Sequence, residues 1–122
     1  MKHSAQRFAW NELEADSPMP LLSRRRIIGK QAMLSHVFLK KGCFVPSHAH
    51  ENEQFACVLS GRLRFVIGEE NAPSPEVLTI GGGETLYLPS QVRHSAEALE
   101  DTVVLDVFSP PSEKTGIDLR SS

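Results

Sequence analysis

Scarce residue types exclude several classes of protein for this chain. Among its 122 residues are two cysteines, one tryptophan and one tyrosine. Cys43 and Cys57 belong to no CxxC pair, so neither a zinc knuckle nor a dithiol redox site is expected. Both read as free thiols acting as small hydrophobes in a reducing compartment. No apolar run approaches the ~20 residues of a membrane helix, and residues 1–10 lack the apolar core of a signal peptide. A soluble, cytoplasmic protein with no membrane partner is expected. A basic excess is missing too. Thirteen Lys and Arg stand against fifteen Asp and Glu, a net charge of −2, so no nucleic-acid partner is expected. The local run Arg24-Arg25-Arg26 reads as a solvated or strand-edge stretch. No segment sustains a helical period between caps. Gly81-Gly82-Gly83 precedes no helix, which excludes a phosphate loop.

What remains is short alternating segments between turn residues. Met33–Leu39 carries apolar residues on both faces, so burial on both sides is expected, with the outer face covered by a second chain. Arg62–Ile67 alternates with Leu63, Phe65 and Ile67 inward. Further strands are expected at 21–30, 54–59, 76–80, 85–88, 94–99 and 102–108. Ser60-Gly61 makes a tight hairpin turn. Roughly eight short strands at this spacing predict a small all-β barrel or sandwich. The expected organisation is an irregular arm over residues 1–20, a barrel over 21–112 and a loose polar tail over 113–122.

The chemistry concentrates in His48-Ala49-His50-Glu51-Asn52-Glu53-Gln54. In an extended segment His48 and His50 leave one face, and Gln54 joins them if the alternation holds. Neutral imidazole suits Zn, Fe, Ni or Cu, and an amide oxygen can fill a harder position. His94, behind a proline turn, is the fourth candidate. The expected cofactor is one divalent ion (Zn, Ni, Fe or Mn) held by His48, His50, His94 and Gln54. Gln54 has the alternative of supporting a ligand rather than being one.

Two motifs carry a resemblance. Gly42-x5-His48-x-His50-x3-Gln54-x6-Gly61 resembles the first cupin motif, with Gln where Glu is usual there. Gly83-x5-Pro89-x4-His94 resembles the second. The resemblance implies an all-β, double-stranded β-helix (jelly-roll) cupin barrel with a divalent metal in its mouth. It also implies a homodimer that exchanges an N-terminal strand, a role for 21–30. The run from Leu99 to Pro111 is similar to the KdgF group, small cupins of pectin and alginate breakdown. They open and ketonise 4,5-unsaturated uronates and accept Gln as fourth ligand. Asp106 and Phe108 match their acidic and aromatic site positions, so both are candidate catalytic residues. An Arg usually follows the Pro-Pro pair in that group; here the position is Ser112. The reading is a metal-dependent lyase or isomerase of a small oxygenated substrate. The alternatives are a metal-dependent dioxygenase and a non-catalytic sugar- or anion-binding module.

Overall fold

A computed structural model describes residues 4–69, 71–115 and 117. The short stretches of β-branched and aromatic residues form strands, and the glycine, proline and acidic clusters between them form turns. After a 3-10 turn at Trp10–Glu12 come β1 (Asp16–Met19), β2 (Leu22–Ile28), β3 (Met33–Leu39), β4 (Phe44–His48) and β5 (Glu53–Ser60). They are followed by β6 (Arg62–Ile67), β7 (Glu76–Gly81), β8 (Glu84–Leu88), β9 (His94–Ala98) and β10 (Thr102–Ser109). The strands build two antiparallel sheets, β1-β2-β3-β10-β5-β8 and β4-β9-β6-β7. Together they make the expected jelly roll. The inner faces share one apolar core: Leu22, Val37, Leu39, Val58, Leu88 and Val104 from the larger sheet meet Val45, Leu63, Phe65, Ala96 and Ala98 from the smaller. Among the described residues no helix is long and apolar enough to cross a membrane.

Gly61 shows why the β5–β6 turn needs glycine. Its φ is +90°, and a Cβ there would collide with the Asp101 carbonyl and Thr102.

Several expectations change in the fold. The arm contains a strand: β1 pairs with β2 across Asp16↔Arg24 and Met19↔Leu22. Arg24 is not a solvated residue of a basic run. It is 4% exposed, and its guanidinium forms a two-pronged pair with the Asp16 carboxylate, both bonds 3.0 Å. Strand alternation turns Arg24 inward, and β1 supplies the opposing charge. The outer face of β3 stays partly open in the single chain, with Phe38 exposed. On the same outer face Trp10 packs on His36 at 5.2 Å between ring centroids, and Phe55 on Tyr87 at 4.9 Å. The described part of the segment read as a loose tail includes Thr115, which is buried, and Ile117, which packs against the core. Residues 118–122 of that segment, Gly116, Glu70 and residues 1–3 lie outside the described residues.

Candidate metal centre

The polar motif joins the two sheets, leading from β4 of the smaller into β5 of the larger. β4 ends at His48, which lies directly across from His94 on β9, so these two imidazoles belong to the smaller sheet. Gln54 is the second residue of β5 on the larger sheet, opposite Phe108 of β10. His50 sits on the connector between the sheets. The expected strand alternation therefore does not run unbroken from His48 to Gln54. A bend at Glu51 and Asn52 intervenes, Asn52 is buried, and Glu51 and Glu53 are exposed. The bend preserves the facing of Gln54 toward the histidines by a different route from a continuous strand.

His48, His50 and His94 bring one ring nitrogen each to within 4.8 Å of one another. Every other ring nitrogen meets a main-chain carbonyl: His48 Nδ1 at Pro46 (2.8 Å), His50 Nδ1 at Asn52 (3.0 Å) and His94 Nδ1 at Val92 (2.9 Å). A carbonyl only accepts, so each Nδ1 carries the proton and each Nε2 keeps its lone pair. Burial pushes the His48 imidazole below its ordinary pKa, and more strongly that of His94, to about 4; neighbouring imidazoles and Arg93 add to both effects. Both rings are thus neutral at pH 7, the form that ligates metal.

Gln54 completes the donor set. Its Nε2 donates to Asp106 Oδ1 at 2.9 Å, which turns Oε1 toward His50 Nε2 at 3.1 Å. In the singly protonated ring, with its proton held at the Asn52 carbonyl, Nε2 and the Gln54 Oε1 present lone pairs to each other. A cation resolves that opposition, and the residues present fit a divalent ion. Turning the amide over would require a proton on Asp106, so the cation-ready orientation belongs to the carboxylate form.

Asp106 is buried on β10, between Ser35 of β3 and Ala56 of β5. Desolvation raises its pKa from 3.8 to about 7, and the Gln54 amide opposes the rise. Phe108 lies edge-on to His50 at 5.7 Å between centroids. A cavity of about 50 Å³ is lined by His48, Gln54, His94, Asp106 and Phe108, and also by Thr115 and Ile117. The structure thus gathers His48, His50, His94, Gln54, Asp106 and Phe108 into one mouth. Arg93 points elsewhere: it donates to Ser47 Oγ at 3.2 Å and approaches Glu69 at 3.8 Å. Tyr87 is exposed and donates to Glu53. Sequence reasoning missed Asn52, whose Nδ2 donates to the Pro110 carbonyl, and the wall made by Thr115 and Ile117. An Asn between the motif histidines and Gln54 is a signal for the first; nothing in the polar tail marks the second.

The sequence profile of the cupin domain matches residues 35–108, from β3 through β10. A search of curated proteins finds no match. Among solved structures, KdgF from Halomonas sp. is 26% identical, with TM-score 0.76 over 87% of this chain and 95% of that one. An RmlC-like cupin from Shewanella frigidimarina is 23% identical, with TM-score 0.76 over 93% and 97%. Oxalate decarboxylase from Bacillus subtilis is 22% identical, with TM-score 0.81 over 98% of this chain and 33% of that longer one. The last two likenesses speak for the fold alone.

Proposed function

This chain belongs to the cupin domain family, and from that premise we propose that it is a divalent-metal-dependent isomerase or lyase of an unsaturated uronate. The observation that carries the reading is the chain of contacts His50–Gln54–Asp106, in which one amide faces both the cation site and a buried carboxyl group. None of the donors His48, His50, His94 and Gln54 brings a negative charge. When bound, a divalent ion keeps its full charge and acts as a Lewis acid on a substrate oxygen.

The protein's own residues do the rest. Asp106, with its pKa lifted to about 7 in the metal-free protein, can both accept and return a proton near neutral pH. It takes the hydroxyl proton of an enol and returns it to the adjacent carbon, which is ketonisation with no net proton consumed. Gln54 holds Asp106 in place. Phe108 and the apolar floor keep water from competing for that proton. The likeness to KdgF at 26% identity supports the uronate as substrate class. The same reading takes the protein as a cytoplasmic homodimer with free Cys43 and Cys57. Its open outer face, with Phe38, Phe55 and Tyr87, would meet a second copy, and β2 would exchange with the partner's β3.

The test is metal-loaded protein mixed with 4,5-unsaturated galacturonate, followed by NMR. Loss of the enol signal at least about 100-fold faster than in buffer is expected from a positioned acid–base group. A rate equal to buffer at full metal occupancy removes the uronate. Oxygen consumption with iron in the site would instead favour a dioxygenase, and tight binding without turnover a sugar- or anion-binding module.

A further inference from the structure

The cavity beside the ligand nitrogens is small. At about 50 Å³ it holds on the order of four waters, and a six-carbon sugar acid does not fit. A roomier cleft of about 330 Å³ touches the same His50, between residues 49–52 and residues 110–114. What lies against both spaces is the strap after β10. Its root is tied to the metal loop through Asn52 and the Pro110 carbonyl. Ser112 Oγ donates to the Lys114 carbonyl and accepts from the Lys114 amide, which folds the strap back on itself. Thr115 and Ile117 then form part of the cavity wall.

One side chain from the barrel holds this strap. Arg26 Nη1 donates to the Glu113 carbonyl at 2.9 Å. Among the described residues that neutral oxygen is the guanidinium's one hydrogen-bond partner, although the fork carries five N–H donors. The strand register puts Arg26 beside Ser35 and Ser35 beside Asp106. Arg26 therefore shares the inner face with Asp106, two strand spacings or about 10 Å away. An arginine side chain spans most of that distance. The bond to the Glu113 carbonyl is charge-assisted on the donor side only; a carboxylate adds a second, parallel bond and a full opposite charge. A carboxylate arriving at the mouth therefore outcompetes a main-chain carbonyl.

We propose that Arg26 is the residue that selects a carboxylate-bearing substrate, and that its bond to the Glu113 carbonyl is a latch which that carboxylate displaces. Binding the acid group then frees residues 112–115, and the small cavity and the larger cleft become one space around the metal ligands. Substrates without an acid group leave the strap closed. The proposal rests on the uronate reading for its substrate class, but its opening step can be observed without turnover.

The test is limited digestion with a lysine-specific protease: Lys114 is exposed, but the bond cut after it leads into the buried Thr115, so faster cleavage there reports unpacking of the strap. Cleavage is followed by mass spectrometry on metal-loaded protein, with saturated galacturonate or neutral galactose as probe. Galacturonate is expected to speed cleavage at least fivefold and galactose to leave it unchanged. Arg26→Gln should cleave fast with either sugar and no longer respond to the acid. Arg26→Lys, which keeps the charge and loses the fork, should fall between. Equal responses of the native protein to the two sugars would overturn the latch, and that comparison needs no variant. So would Arg26→Gln cleaving at the native rate with its acid response intact. Release of metal to the neutral chelator phenanthroline should follow the same order. Opening by galacturonate without ketonisation of the unsaturated acid would retire the reaction and keep the latch. Turnover with an unchanged KM in Arg26→Gln would do the reverse.

Discussion

The two ends of this barrel are built from the same strands on the same inward face, yet they have opposite chemistry. Along β10 the inward residues are Val104, then Asp106, then Phe108; along β9 they are Ala98, Ala96 and then His94. The floor, with Leu39, Val45, Leu63 and Phe65, is apolar and buried. The mouth buries His50, Gln54, His94 and Asp106, and it is held together by hydrogen bonds rather than by apolar packing. Burying neutral imidazoles and a carboxyl group costs stability, which the floor has to offset. The difference separates the two tasks: changes in the floor should unfold the protein, and changes in the mouth should disarm it.

The sharpest way to break that division is Leu63→Ala. Removing a side chain that is 3% exposed should destabilise the fold by about 2–5 kcal/mol, read from urea unfolding. Metal affinity per folded molecule should not change; a large loss would mean that floor and mouth are one cooperative unit. The converse is His94→Ala. Metal affinity should fall by more than the 10–100-fold typical of losing a residue that merely supports a ligand, measured by calorimetric titration. The metal-free variant should be at least as stable as its parent.

Asp106→Asn sharpens the comparison through pH. In the metal-free protein the folded carboxyl titrates at about 7 against 3.8 unfolded. Between these values the unfolded chain ionises first, so stability is present at low pH and is lost as pH rises through 7. The loss is up to about 4 kcal/mol, at 1.36 kcal/mol per unit. His94 acts in the opposite sense. Its folded pKa of about 4 lies below the usual 6.5, so stability is lost as pH falls from 6.5 through 4. Asp106→Asn should therefore leave a urea midpoint that rises from pH 4 to 6.5 and stays flat to pH 8. Turnover of the unsaturated uronate should drop on the order of 100-fold or more. The smallest effect belongs to neither end. Arg64→Ala on the outer face breaks an exposed pair with Glu97 at 3.7 Å and should cost less than about 1 kcal/mol.

Much of this architecture could be read in advance because strand patterning is local. Met33–Leu39 and Arg62–Ile67 have the bounds their alternation predicts, and the motif spacing singled out His48, His50, Gln54 and His94. The buried Arg24 could not be read, because its counter-charge comes from β1, a strand with a proline and little β propensity. Gln54 reaches its place through a bend rather than through alternation. The tail was the larger surprise: Thr115 and Ile117 belong to no pattern, and only long-range packing puts them at the cavity.

Strands, turns and the identity of the metal-type side chains were legible along the chain, because period-two alternation, glycine conformations and ligand chemistry are properties of near neighbours. Long-range packing alone made His50 and Asp106 share one amide, set Arg26 to hold a strap 87 positions away, and chose the side of the cavity that strap closes. Those contacts join strands from different parts of the chain, and their geometry is set by how the two sheets pack, which no local pattern encodes.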